Sequence, residues 1–434
     1  MQRKATRPRL LQAMMDVLTL PDLRRKILFT IGMLVVFRFL AHIPLPGVDP
    51  DALQTLFGQN LLFGMLDLFT GGAMQQFSLV ALGVYPYITA SIIMQLLVPV
   101  IPRLQAIAQE GELGQQKINR ITHFATIPLA GLQGYAIIAL LRSQGVDVGL
   151  GPLAMATILI TLIAGTMFLV WLGELITERG IGNGISIIIF GGIVAGLPGI
   201  VGNFIVTAIG GNPEGLMAYI ILTLAMLVLI VIFVEAHRRI PVQYAKSTFR
   251  SGRMYRQSGS TYIPLRINTA GMIPLIFAIA LMQLPSTVAT YFMNPAGADP
   301  NFWNTIFNVF QSNTVVYNIL YFALVIGFAF FYTMVIFEQM NLPQTLQQQS
   351  GFIPGVRPGK TTADYLNRII RRITFGGALF LGLVAIMPFI AQVITNVALL
   401  IQSTAMLIAV GVALDTMKQL EAQLTMRRYE GFLK

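Results

Sequence analysis

The chain has 434 residues, of which 55% are hydrophobic and only 11% charged, with a mean hydropathy of +0.71 and a net charge of +11. Soluble domains carry about 25% charged residues, so this chain has too little charge to cover a water-facing surface of its size. It has no cysteine, which excludes disulfides, thiolate catalysis and cysteine metal sites. Its three histidines, His42, His123 and His237, are too scattered to form a helical metal pair, and neither a metal nor another cofactor is expected.

The first 26 residues are basic and polar, and no small-residue cleavage site follows the first apolar block. They read as a cytoplasmic segment ahead of an ordinary first span, not as a cleaved signal peptide. A helix needs about 20 apolar residues to cross the hydrocarbon core. Candidate spans lie at roughly 27–43, 77–101, 121–141, 153–175, 185–209, 216–234, 268–284, 315–337, 373–394 and 397–414. The predicted fold class is therefore an all-α polytopic membrane protein with ten transmembrane helices.

Charge placement supports that count. Every lysine and arginine except Arg38 and Arg142 falls in segments that share one side when there are ten spans. The positive-inside rule makes that side, with both termini, cytoplasmic. Arg38 and Glu174 sit toward span ends, where long side chains reach the interface. The spans lack the midplane carboxylates and histidines typical of ion-coupled pumps and many solute carriers.

Several features exceed a plain helix bundle. Leu61 to Gly72 is apolar but too short to span, which fits a re-entrant or an interfacial helix, and Gly71-Gly72 would let it hinge. Ala236 to Asn268 holds seven basic residues and no acidic one. That loop suits lipid headgroups, nucleic-acid phosphates, an acidic protein surface, or simply water. Gly355 to Thr361 has three residues between its glycines, where a Walker A loop needs four, so energy must come from a partner or the membrane potential. Pro86, Pro128 and Pro274 permit kinks in spans 2, 3 and 7. Val84 and Ile88, like Ile185 and Ile189, are i, i+4 pairs sharing a helix face. On spacing alone such pairs pack or face lipid. Thr89, Gln133 and Asn268 are uncharged polar residues suited to hydrogen bonds between helices.

Longer motifs narrow the choice. The run 171–198, containing Gly180-Ile181-Gly182-Asn183-Gly184-Ile185-Ser186, resembles the fourth-to-fifth span region of the SecY family of protein-translocase channel subunits. So do Val84-Tyr85-Pro86-Tyr87-Ile88-Thr89-Ala90-Ser91, Arg238-Arg239-Ile240-Pro241-Val242-Gln243-Tyr244, Ile267-Asn268-Thr269-Ala270-Gly271-Met272 and Pro354-Gly355-Val356-Arg357-Pro358-Gly359. The resemblance covers nearly the whole chain, and matches least at 142–152, 286–315 and the tails.

The resemblance implies two inverted five-helix halves around a central hourglass pore, 27–209 and 210–414, with cytoplasmic ends at 1–26 and 415–434. Val84, Ile88, Ile185, Ile189, Ile276 and Ile408 match the aliphatic pore ring. An aliphatic constriction suits a channel that must pass every side-chain type, and it blocks ions by dewetting. The segment 61–74, with Leu61, Phe63, Met65, Leu66, Leu68, Phe69, Gly71 and Gly72, matches the plug. Thr89, Gln133 and Asn268 match the polar cluster of the lateral gate. Loops 236–267 and 338–372 match the cytoplasmic docking surface, with Arg239, Lys246 and Arg357 its foremost residues.

The implied partners are the membrane subunits SecE and SecG, the SecA motor ATPase, ribosomal RNA phosphates, signal-bearing precursors and membrane lipid. The implied place is a bacterial inner membrane. A secondary transporter of a small solute is the alternative. An intramembrane protease is disfavoured, because no span contains aspartate or a nucleophile–base pair.

Overall fold

The computed structural model describes residues 20–46, 48, 53, 70–143, 151–209, 213–250, 253–269, 271–292, 301–310, 314–340, 342–357, 359–395 and 403–432. Its elements run α1 (Pro21–Ala41), α2 (Tyr85–Val100), α3 (Pro102–Ala108), α4 (Glu112–Ser143), α5 (Pro152–Arg179), α6 (Gly184–Ile209) and α7 (Pro213–Glu235). Then come β1 (His237–Arg250), β2 (Arg253–Arg266), α8 (Ile273–Phe292), α9 (Phe302–Val309), α10 (Val315–Met340), α11 (Leu342–Gln348), β3 (Gly351–Phe352), α12 (Lys360–Thr395) and α13 (Ser403–Phe432). Each expected span overlaps one of these helices. Among the described residues, five helices are long and apolar enough to cross a membrane, or six if α2 and α3, bent by 102°, form one broken span.

The local chemistry accounts for the helices. Pro21 and Pro152 open α1 and α5, where the missing N–H costs nothing. Arg179 closes α5, where a cation meets the negative end of the helix dipole. Threonines inside the apolar helices return their hydroxyls to their own backbone, as Thr126 does to Thr122 O at 2.8 Å and Thr333 to Ala329 O at 2.7 Å. Each of these hydroxyls is thereby paired within its own helix.

Two expectations change. The span at 77–101 is helical only from Tyr85. Phe77 and Gly83 have φ of 42° and 57°, which a helix cannot contain. The irregular stretch before α2 is buried, with Ala73, Met74, Phe77, Ser78 and Val80 almost inaccessible. Its backbone is satisfied by Phe77 O accepting from Leu45 N at 3.0 Å and Ile43 O accepting from Leu79 N at 3.1 Å. Non-helical backbone at membrane depth is tolerated under that condition. Pro86 consequently stands at a helix start rather than at an interior kink, as does Pro274 because α8 begins only at Ile273, whereas Pro128 is internal to α4.

The second change is a small β-sheet added to the helical fold. β1 and β2 form a hairpin from His237↔Arg266 to Arg250↔Arg253, and β3 joins the free edge of β1 through Gln243↔Phe352 and Tyr244↔Gly351. The strand order is β2-β1-β3.

The chain forms two compact units: Met1–Gly210 with Leu284–Ser312 and Ile408–Lys434, and Gly211–Gln283 with Asn313–Leu407. In the first, α2 packs on α4, α4 on α5, α5 on α6, and α1 against α5 and α6. Its core joins Leu45, Met74, Phe77, Leu82, Ile138, Leu141, Ile158 and Leu162. In the second, α12 is central, packed by α7 and α10. Phe233 stacks on Phe380 at 3.8 Å there. Apolar side chains remain exposed along α7, including Met217, Ile221, Leu224, Val228 and Ile232. A water-soluble protein does not leave so long an apolar face open.

Candidate functional site

The aliphatic candidates are distributed over both units. Within the first, Val84 is buried immediately before α2, and its carbonyl accepts from Ile88 N at 3.0 Å. One helical turn therefore separates the pair, as the spacing predicts. Ile185 and Ile189 are likewise one turn apart on α6, with Ile189 buried. Ile185 lies close over Gly173 of α5: a Cβ on that glycine would meet Ile185 Cγ1 at 2.8 Å. Ile408, 1% exposed, is on α13 in the same unit. Ile276 belongs to the second unit, near the start of α8 and 9% exposed.

Of the three polar candidates, the structure brings two together. Gln133 on α4 donates through Nε2 to Thr89 Oγ1 on α2 at 3.4 Å, and Thr89 donates in turn to Tyr85 O at 3.0 Å. The Gln133 carbonyl oxygen is buried without a hydrogen-bond partner among the described residues. An unmet buried acceptor costs about 1–3 kcal/mol. Asn268 lies in the other unit, half-buried in the connection between β2 and α8.

One polar contact was not anticipated. His123 Nε2 on α4 lies 3.0 Å from Glu174 Oε1 on α5, and the His123 ring lies 5.7 Å from that of Tyr87 on α2. Glu174 thus turns toward a neighbouring helix, and the approach is too poorly aligned to count as a hydrogen bond. The residues lie 51 positions apart, so no local spacing signals the pair.

The basic candidates share one small domain in the second unit. Ile240, Val242 and Leu265 of the hairpin bury against Leu346 of α11, Ile353, and Leu366 and Ile370 of α12. Arg239 projects from this platform: its Nε donates to His237 Nε2 at 3.2 Å, and its guanidinium lies 4.9 Å from the Tyr262 ring centroid. His237 Nδ1 is 3.0 Å from Glu235 O. That carbonyl fixes the proton on Nδ1 and leaves Nε2 to accept from Arg239. Lys246 lies further along β1, opposite Gln257. Arg357 is exposed ahead of α12, and its carbonyl accepts from Thr362 Oγ1 at 2.8 Å.

Of the segment 61–74, Leu61, Phe63, Met65, Leu66, Leu68 and Phe69 lie outside the described residues. Gly71 and Gly72 are described, both with positive φ, 68° and 85°.

Membrane-length apolar helices, buried irregular backbone and a basic platform beside them define a multi-pass helical membrane protein. Its fold matches a solved structure described as the SecY plug domain stabilising the closed state of the translocation channel, with a TM-score of 0.66 and 19% identity over 92% of each chain. It also matches a canine ribosome–channel complex from the endoplasmic reticulum, with a TM-score of 0.62 and 19% identity over 92% of each chain. The family model SecY matches residues 78–417. The chain is 42% identical over 435 residues to protein translocase subunit SecY of Streptomyces coelicolor, covering 95% of this chain and 98% of that one. Against the subunit of the same name from Aquifex aeolicus it is 42% identical over 427 residues, covering 96% and 97%. The chain belongs to the SecY family.

Proposed function

We propose that this chain is the channel-forming subunit of a protein translocase in a bacterial inner membrane. It passes unfolded secretory polypeptides across the membrane and releases hydrophobic segments sideways into lipid. The observation that carries this reading is family membership extending over nearly the whole chain. In this reading two inverted five-helix halves, 27–209 and 210–414, surround an hourglass pore, with 1–26 and 415–434 in the cytoplasm. The one-sided distribution of basic residues supports that orientation. The chain is not itself an enzyme. SecA, a ribosome or the proton motive force supplies the energy, and SecE and SecG are its small membrane partners.

Val84, Ile88, Ile185, Ile189, Ile276 and Ile408 form the pore ring, 61–74 the plug, and Thr89, Gln133 and Asn268 the lateral gate. Arg239, Lys246 and Arg357 dock the motor or ribosomal RNA. The likeness to a channel held in a ribosome complex supports the second of these partners.

The absence of cysteine makes the decisive experiment simple. One cysteine is placed at Ile276, and a control at Leu383, which is 47% exposed on α12. A secretory precursor carrying one cysteine is stalled in transit and the sample is oxidised. A disulfide at Ile276 and none at Leu383 places the polypeptide in the ring. An unreactive Ile276 with the precursor demonstrably engaged removes the ring assignment and reopens solute transport.

Gln133→Leu tests the gate. It removes a long hydrogen bond but also an unpartnered buried carbonyl oxygen, so α2 and α4 pack at least as well. Opening the gate would let that oxygen hydrate, and its loss favours the closed state by on the order of 1 kcal/mol. Signal sequences then need to be more hydrophobic to open the channel, which a series of graded signals measures. An unmoved threshold excludes Gln133 from the gate.

A further inference from the structure

Arg38 is a basic residue that the one-sided charge pattern leaves over. It lies in the last turn of α1, half-buried within a candidate span. Glu110 pairs with Lys117 and Glu174 lies against His123, so neither carboxylate neutralises it. An arginine within an apolar span is kept where it has a partner. Its partner here is a backbone carbonyl: Arg38 Nη1 donates to Gly71 O.

The seat that receives Gly71 is unusually close. Gly71 has φ of 68°, and a Cβ on it would lie 2.6 Å from Gly192 Cα on α6. A Cβ on Gly191, the preceding residue of α6, would lie 2.8 Å from Leu34 Cδ2 on α1. Two adjacent glycines of α6 therefore accept α1 on one side and the Gly71 turn on the other, and any side chain at Gly71 would strike the α6 backbone. Gly72, also left-handed, has open space where its Cβ would be. The turn is thus gripped at one residue, from above by a guanidinium and from below by a glycine floor. Charge-assisted hydrogen bonds to a carbonyl are about twice as strong as neutral ones.

We propose that Arg38 is a positioning residue for the resting channel: it holds the Gly71 turn on the Gly192 seat of α6, and this contact helps keep the channel sealed. The inference rests on the reading of 61–74 as a plug.

The test uses the full chain reconstituted with its membrane partners, in two readouts. The first is resting ion conductance in planar bilayers. The second is the rate at which a membrane-impermeant maleimide labels Thr70→Cys, a position 4% exposed beside the seat. Arg38→Met is expected to raise both by about tenfold, the scale of one charge-assisted hydrogen bond. Gly71→Ala, whose methyl would meet Gly192 Cα at 2.6 Å, does the same, and the double variant exceeds neither single, because both disrupt one contact. Arg38→Lys retains a donor and recovers most of the resting seal, which a merely structural loss of α1 packing would not reproduce. Unchanged Thr70→Cys labelling in Arg38→Met overturns the seat. Additive effects of Arg38→Met and Gly71→Ala also overturn it. Deletion of 61–69 separates the two readings: faster labelling in Arg38→Met without a leak in the deletion keeps the seat and removes the plug.

Discussion

Charge reversal at Arg357 lowers motor-driven precursor transport by about tenfold or more while the channel still assembles. The side chain is exposed and the backbone beneath it is held by the Thr362 hydroxyl, so Arg357→Glu changes surface charge without disturbing a core. An acidic partner that was attracted is then repelled, and a loss of about 1.4 kcal/mol in docking is already a factor of ten. Arg357→Lys keeps the charge but loses the planar fork that grips carboxylates and phosphates, so its transport falls between the two. The measurement is ATP-driven transport into vesicles, repeated over a salt series. Because screening shortens the reach of exposed charges to about 10 Å at 0.1 M, the gap between wild type and variant narrows as salt rises. Transport at the wild-type rate removes Arg357 from the docking surface.

Val242→Asp abolishes docking although it alters no exposed residue. Val242 is 0% exposed in the core that joins the hairpin to α11 and the start of α12. A carboxylate there has no cation within the cluster, and an uncompensated buried charge costs about 3–5 kcal/mol. So small a core has little stability to lose. Limited proteolysis then cuts within 237–266, while the membrane helices remain protected. Binding of the motor falls even though Arg239, Lys246 and Arg357 are all present. Val242→Ala, costing about 2 kcal/mol, gives a partial effect. A variant that resists protease and docks normally would show that the basic residues act from separate loops and not from one platform.

That platform marks where sequence reasoning stopped. Loops 236–267 and 338–372 read as two basic connections, and their charge was visible at once. The period-2 pattern of Ile240, Val242 and Tyr244 also lay in the sequence, as did the polar pair Ser251-Gly252. Pro241 and Pro264, which argue against a central strand, obscured it. Nothing local could show that Gly351-Phe352, more than 100 residues further on, would pair with Gln243 and Tyr244. The same holds for Gln133 reaching Thr89, His123 reaching Glu174, and Arg38 reaching Gly71.

The sequence by itself determined the membrane class and the approximate position of each long helix, and it carried the grouping of basic residues into alternate connections. Those properties follow from the transfer of contiguous apolar residues into lipid and from the cost of moving cations across it, and both can be summed along the chain. Only the tertiary structure decided where α2 begins, since Phe77 and Gly83 adopt a buried irregular path stabilised by backbone from residues 43–45. It also decided which polar groups meet. Hydrogen bonds between helices depend on rotation and depth to within an ångström, and hydrophobicity, which has no direction, leaves those quantities open.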